Sequence, residues 1–549
     1  MDTRHTVITA IDPLLDILHS RAIVAISAPL FTDEESFIGY YSAASENSTC
    51  AVMPVRDAHT LAETLYQPKT SVLRVHGLKR IWEALDIGTR DVNPDLISDT
   101  ELMAYLLHPD ARDKGLTLSA LCAEYLGEEY PHRILDIRDQ GYPAAFAAAL
   151  AYDAELIGNL AERLAFVMTD DLRRLYRQIE LPLMLILDEM RRVGIGVDGG
   201  KCVKERARAQ AELVALADEI TQGKTVNLAS EEQVFQFLIE QGVRFASPWL
   251  YSTRKVSIQA LEEVAHLYPV VRKVLEWRDL AQDMGFLNFA AGKTRVHPIW
   301  GQTRAGTSRI YARQPAVQTV SRELRYLFIP APGHVFVKAD YSQAQLRILA
   351  HLSEDENLVS LFNAGRDPHT ETALWLGIDR DSAKQVNFGI CFGMSAAGLA
   401  ARISRVRKSS VDIETAQTHI DAFYGRYPRV KAFFEEAWRE LKDKPQTERM
   451  TTAPSGRIRR FGTRANRAVE RKFRVTLPQQ MEADLMKTSM VRLDRIFRRR
   501  NMKARIVMMI HDALWVEAPH EEVDQAKHLM RRMMTTAAKL RVPLEVDFS

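Results

Sequence analysis

The sequence predicts a multidomain α+β protein, and three observations carry that expectation. The chain has 549 residues, and at about 150 residues per domain this makes three or four domain-sized pieces. Short apolar runs alternate with helical patterns over residues 1–155, whereas 201–290 is helix-rich and polar and 296–549 mixes strands and helices again. The hydrophobic fraction is 46%, with 26 Gly and 22 Pro, so there is enough apolar side chain to bury several cores.

Ala22–Ser27 (AIVAIS) and Ser71–Val75 (SVLRV) read as strands, and Asp99–Leu107 and Thr117–Leu126 as helices. That alternation suits a partly parallel sheet with covering helices. From 155 to 193 the pattern is helical and stops at Gly194-Ile195-Gly196, where glycine fits a helix end followed by a short strand. Residues 201–290 fit an elongated helical lobe. No internal repeat or low-complexity tract interrupts the chain.

Lys plus Arg is 73 and Asp plus Glu is 71, a formal charge of +2. Such balance excludes a histone-like wrapper and an acidic tail protein, but not nucleic-acid binding in a local basic groove. The four cysteines, Cys50, Cys122, Cys202 and Cys391, are scattered without paired spacing. This argues against a disulfide framework or a Cys-built zinc site. The first residues lack a signal-peptide apolar core, and no run of 18 apolar residues occurs. The expectation is a soluble, cytoplasmic protein with no membrane partner.

Three segments carry chemistry. In HVFVKADYSQAQLRILAHLS (His334–Ser353), Val335, Val337 and Ala339 alternate as in a strand, and Gln345–Leu352 takes helical spacing. Asp340 therefore sits at a strand-to-helix junction. Alone, it is equally a carboxylate placed near a helix N-terminus. In RIVMMIHDALWVEAP (Arg505–Pro519), two β-like runs flank His511-Asp512-Ala513, so Asp512 lies at a hairpin turn, where Asp is common anyway. Two such aspartates can share divalent metal, because Mg²⁺ is held by one or two carboxylates plus substrate phosphates. In RDSAKQVNFGICFG, residues Arg380, Lys384, Phe388 and Phe392 recur every fourth position along one helix face. Two cations followed by two aromatics suit a nucleoside triphosphate; simple packing of the two Phe is the alternative.

These segments resemble motifs A, B and C of the family A, polymerase I type, DNA polymerases. Motif A matches at Asp340-Tyr341-Ser342-Gln343 with Leu346-Arg347. Motif B matches at Arg380, Lys384, Asn387-Phe388-Gly389 and Phe392-Gly393, and motif C at His511-Asp512. The likeness spans 155–549 and includes Thr307–Gln318, His369 in GRDPHTETA and Gln480 in TLPQQMEADLMK. It implies a right-hand fold of palm (296–353 and 475–549), fingers (354–474) and thumb (201–290), within a polymerase domain over 156–549. It also implies that Asp340, Asp512 and the Tyr341 carbonyl hold two Mg²⁺ ions, with Mn²⁺ as a substitute. Arg380, Lys384 and His369 would contact the triphosphate, and Lys384 would protonate the leaving pyrophosphate. Phe388, Phe392, Gln345 and Tyr341 would surround the nucleotide. Arg309, Gln318, Gln480, His511, Arg457 and Arg459 would face primer–template DNA, and Arg347 would support motif A. The implied activity is that of a DNA-directed DNA polymerase acting on dNTPs. The implied setting is replication or repair in a bacterial or phage-infected cell. The enzyme would be a monomer, with room for accessory replication proteins.

The sequence departs from the family pattern in places. Gln345 stands where the family has Glu, and Phe392 where it has Tyr, so a looser barrier to ribonucleotides is expected. Ala344 replaces a larger aliphatic residue beside it. Ala513 removes the Glu of motif C, which predicts weaker metal affinity without loss of chemistry. Residues 1–155 resemble, more weakly, the ribonuclease H-like 3′–5′ exonuclease domain of the same family. At its three motifs stand Ala10-Ile11-Asp12, Gly77–Ile81 and Ala147–Ala151. Without the usual carboxylates two metals cannot be held. An inactive domain is expected, with Asp12, Asp99 and Asp153 as turn, cap or solvent residues. No 5′-nuclease domain is expected ahead of it, as in a compact phage-type or large-fragment-type enzyme.

Basic segments at 402–408, 454–474 and 498–503 are expected to line a duplex channel by neutralising phosphates. Thumb cations such as Lys201, Lys204, Arg206 and Arg208 would grip the backbone. Two competing readings are a single-subunit RNA polymerase and a catalytically dead primer–template binder. The Arg309–Gln318 segment and the exonuclease-like domain argue against the first. The retained Asp340, Asp512, Arg380 and Lys384 argue against the second.

Overall fold

In the computed structural model the described residues are 72–79, 92–111, 113–128, 143–245, 248–391, 393–407, 409–462 and 465–549. The backbone of the strands Thr6–Ile8, Val24–Ile26, Leu30–Phe31, Glu35–Ser42 and Asn47–Pro54 is described as well. Asp12, Ala10 and Ile11 of the first exonuclease-like motif lie outside them, as do residues 80–81 of the second and Phe392 of motif B.

The N-terminal strands form the mixed sheet that the alternation predicts. Val24–Ile26 is antiparallel to Glu35–Ser42 on one side and parallel to Leu73–Val75 on the other, and Leu73–Val75 is parallel to Ile97–Asp99. Helix Pro143–Val167 covers this sheet. Residue 155, the expected boundary, falls inside that helix, so the first unit and the rest are joined by continuous helix. Their apolar interiors also merge: Leu102, Leu106, Leu160 and Leu164 share a core with Leu172, Leu175, Leu181 and Ile458.

The helical lobe is built on the antiparallel pair Gly199–Thr221 and Pro269–Ala290. Asp198 caps the first helix by accepting from the Lys201 amide. The shorter helices Glu231–Glu240 and Ile258–Val264 close over Val234, Phe235, Leu238, Leu261 and Val274, a core of their own. A second group of helices, Pro368–Leu376, Arg380–Cys391, Ala396–Arg407, Ile413–Arg426 and Pro428–Lys442, packs through two of its members on Ala344–Ser353, the helix after motif A.

A four-stranded antiparallel sheet runs in the order Arg505–Ile510, Ala513–Pro519, His334–Tyr341, Val546–Phe548. Its alternating apolar residues (Val337, Ala339, Leu514, Val516) pack on the 33-residue helix Arg467–Arg499 and on Val523–Thr535. The motif A strand is thus central, with Asp340 at its exposed end.

Candidate active site

The sheet register brings motifs A and C together. Asp340 is directly opposite Ala513, the first residue of the strand after the turn, and the Tyr341 amide donates to the Asp512 carbonyl at 3.2 Å. The turn has two residues, with His511 in the left-handed region (φ 55). Both carboxyls consequently occupy one corner. Burial first, then the Asp512 charge and a hydrogen bond to Asp512, push the Asp340 carboxyl up to about 7, and Asp547 adds to the rise. Two like charges this close are not both ionised without a cation.

That strain is the feature a dication relieves, so the pair fits a metal. Among the described residues no cluster of three or more His, Cys, Asp or Glu could hold one. A metal here needs backbone carbonyl, water or phosphate oxygens as further ligands, which suits Mg²⁺ bound with a phosphorylated substrate.

Asp547 was missed by sequence reading. It sits on the C-terminal strand opposite Asp340, on the other side from Ala513, and only the strand pairing reveals it. The motif A turn is braced from the same segment. Arg347, 3% exposed, donates to the Ser342 carbonyl (2.8 Å), the Pro543 carbonyl (2.6 Å) and Glu545 (2.5 Å). The expected supporting role is met by these three bonds.

The helix Arg380–Cys391 is tied to the motif A turn through Asp367, which Gln343 Nε2 reaches at 3.5 Å and which pairs with Arg380. Lys384 Nζ lies 5.8 Å from the centre of the Phe388 ring, and Phe388 packs on His369 with ring centres 5.8 Å apart. Asn387 is buried and donates to the Pro368 carbonyl and to His369 Nδ1, while accepting from Thr372. The Nδ1 position of His369 is therefore an acceptor, which leaves Nε2–H as its donor. Burial lowers His369 to about 4 despite the nearby Asp367 charge, so the ring is neutral at pH 7. Asp367, also missed, anchors the group. Its carboxylate caps helix Pro368–Leu376 and pairs with Arg380 at 2.8 Å. Burial would raise it, but hydrogen bonds from Thr370, Arg380 and the His369 amide outweigh that and hold it at about 2. The Asp-Pro-His sequence is a helix-start signature that could have revealed it.

Most of the other expected DNA contacts are engaged by internal partners in the structure. Arg457 is 1% exposed. It pairs with Glu180 and, at 2.6 Å, with Asp484, while Lys487 reaches Glu180 at 2.7 Å. Its hairpin turns inward at Gly456 (φ 87), where a Cβ would lie 2.5 Å from Asp171. Arg459 pairs with Asp110 and Thr476, and Arg460 donates to the Leu107 carbonyl. Arg459 and Arg460 thus fasten the N-terminal unit. Gln480 is fully buried, with Nε2 on the Ile458 carbonyl and Oε1 unpartnered. Gln318 is spent on backbone, accepting from Ala312 and donating to Ile310 and Met509, so it fixes the loop against motif C. Arg309 remains 38% exposed but is paired with Glu482.

The remaining basic patches divide likewise. Arg405 reaches Glu262 and Asp279 of the helical lobe, and Arg498 pairs with Glu189 and Asp494. In the N-terminal unit, Asp99 accepts from the Gly77, Leu78 and Leu102 amides, a helix cap as expected. Asp153 instead is 6% exposed within helix Pro143–Val167, not at a turn or in solvent.

The family model of DNA polymerase family A matches residues 201–549. The chain is 31% identical over 440 residues to DNA polymerase I of Lactococcus lactis subsp. lactis, covering 73% of this chain and 49% of that protein. It is 31% identical over 491 residues to the thermostable DNA polymerase I of Thermus aquaticus, covering 82% and 54%. The chain spans about half the length of the curated relatives it matches. Among solved structures, the fold matches the polymerase domain of Pol1 from M. smegmatis in complex with DNA primer-template and dNTP. The TM-score is 0.79, with 24% identity and coverage of 99% of this chain and 98% of that one.

Proposed function

The chain belongs to DNA polymerase family A, and from that membership we propose that it extends a primer 3′-OH with dNTPs on a DNA template. The observation that carries this reading is the Asp340–Asp512 pair at the end of the motif A strand, with Arg380 tied to the adjoining turn through Asp367 and Gln343. Asp340, Asp512 and the Tyr341 carbonyl would hold divalent metal, two Mg²⁺ ions with Mn²⁺ as a substitute, which would supply charge neutralisation and activation of the 3′-OH. Arg380 and Lys384 neutralise the triphosphate, and His369 donates Nε2–H to it. Lys384 gives a proton to the departing pyrophosphate. Asp367 sets the direction of Arg380, and Phe388 backs the nucleoside. Catalysis is mainly positioning and electrostatics, as phosphoryl chemistry requires.

His511 and Arg309 face the primer terminus, and binding along the duplex is electrostatic and weakened by salt. The protein acts as a monomer in the cytoplasm, where accessory replication proteins can join it. Primer extension with Mg²⁺ and four dNTPs tests the reading. Full-length product that follows the template supports it, and an unextended primer sinks it.

We also propose that the N-terminal unit has no proofreading activity. Asp99 is committed to three backbone amides, and residues 77–79 and 147–151 offer no carboxylate. With dNTPs absent, a labelled primer incubated with Mg²⁺ should keep its length. Metal-dependent shortening that survives the Asp340→Asn and Asp512→Asn changes would overturn this.

A further inference from the structure

Glu482 joins parts of the site that sequence reading kept separate. It lies on helix Arg467–Arg499, two residues beyond Gln480, and is 7% exposed. Its Oε1 accepts from Gln345 Nε2 at 2.9 Å, and its Oε2 accepts from Arg309. Gln345 is in the first turn after motif A, and Arg309 is in the loop before it. The field of the same carboxylate reaches Cys391, at the end of the motif B helix, and His511 of motif C. One buried acid thus touches or faces four segments.

The hydrogen bond also fixes the orientation of Gln345. A carboxylate only accepts, so the amide nitrogen must point at Glu482, and the carbonyl oxygen must point away from it. Among the described residues no donor reaches that oxygen. The α-phosphorus of a nucleotide is joined to C5′ of its sugar through O5′ alone. A side chain between the Asp340–Asp512 corner and the end of the motif B helix therefore borders the sugar. Gln345, on the helix that packs against the motif B helix, presents an amide whose outward atom is a hydrogen-bond acceptor.

On the polymerase reading above, we infer that Glu482 is the positioning residue for sugar selection. It holds Gln345 with its carbonyl oxygen toward the nucleotide sugar and ties that setting to Arg309. The carboxylate absent from position 345 is thereby supplied from the long helix. Held in place by Glu482, the amide obstructs a 2′-hydroxyl by its bulk, and without that anchor the obstruction loosens.

Steady-state insertion of one dNTP and its matching rNTP tests this in the full chain. The variants are Glu482→Gln, Glu482→Ala, Gln345→Glu and the double change Gln345→Glu with Glu482→Gln. Extension by the unchanged enzyme with dNTP tests the polymerase reading separately. The inference concerns only the ratio of kcat/KM for dNTP to that for rNTP. Glu482→Gln and Glu482→Ala should lower that ratio about tenfold, mainly through KM, a shift equal to about 1.4 kcal/mol. Gln345→Glu sets two carboxylates side by side and should weaken insertion of both nucleotides. The double change restores one acid and one amide and should return the ratio to within about threefold of the unchanged enzyme, about 0.7 kcal/mol. Ratios unchanged in both Glu482 variants overturn the inference. So does a double variant that behaves as the sum of its parts. A Glu482→Gln protein that fails to fold makes the residue structural and overturns it too.

Discussion

An Asp512→Asn enzyme should lose roughly 10³-fold or more in the rate of single-nucleotide insertion while melting no earlier than the unchanged protein. Asparagine matches the shape of aspartate, so the hairpin turn should persist. The electrostatic consequences for the two states are opposite. In the free protein, Asp340 and Asp512 repel, and burial compounds that repulsion. Removing one charge relieves it, so folding stability should hold or rise. In the metal-loaded enzyme the same charge is half of what the Asp340–Asp512 pair would offer, because no group of three or more potential ligands gathers among the described residues. Asp340→Asn should behave alike. The two readouts are insertion rate and thermal melting. A variant that is both inactive and unstable would assign Asp512 to the fold rather than to chemistry.

A Glu180→Ala protein should be destabilised by about 3–5 kcal/mol. Glu180 lies fully buried in the turn Tyr176–Glu180 between helices Asp170–Leu175 and Leu181–Val193. It accepts from Arg457, Lys487 and Gln302. With Asp484 the cluster holds two acids and two cations, so it is neutral as a unit. Removing Glu180 leaves two cations, both 1% exposed or less, to share Asp484. Burial would raise the Glu180 carboxyl, but Arg457 and Lys487 outweigh it and hold it at about 2. Its folded value is therefore below its unfolded one, and the unfolded chain binds more protons between them. The contribution to stability is present above the ordinary carboxylate range and is lost as pH falls toward 2. The gap between the melting temperatures of the two proteins should narrow steadily from pH 5 down to pH 3. A constant gap would sink the assignment.

Much of this site could be read from local sequence, for physical reasons. Strand alternation at Val335, Val337 and Ala339 fixes which end of the strand carries Asp340. The hairpin around His511-Asp512 is a short-range feature, and the four-residue spacing of Arg380, Lys384 and Phe388 defines a helix face. What escaped notice depends on long-range partners. Arg457 looks like a phosphate ligand in a basic run until Glu180, 277 positions earlier, is found against it. Gln480 keeps its motif position yet is buried under the Ile458 hairpin. Asp547 and Glu482 carry no local signature, because strand pairing and helix packing alone bring them to the corner. The charge balance has the same origin: many of the arginines in the basic segments are consumed by internal acids.

The most direct test of the account is insertion opposite each of the four template bases, run with Mg²⁺ by the unchanged enzyme and by Asp512→Asn. The account predicts that the unchanged enzyme adds the complementary dNTP opposite every base and that the variant adds none at a comparable rate. Insertion that ignores the template, or that proceeds undiminished without the Asp512 carboxylate, would contradict it.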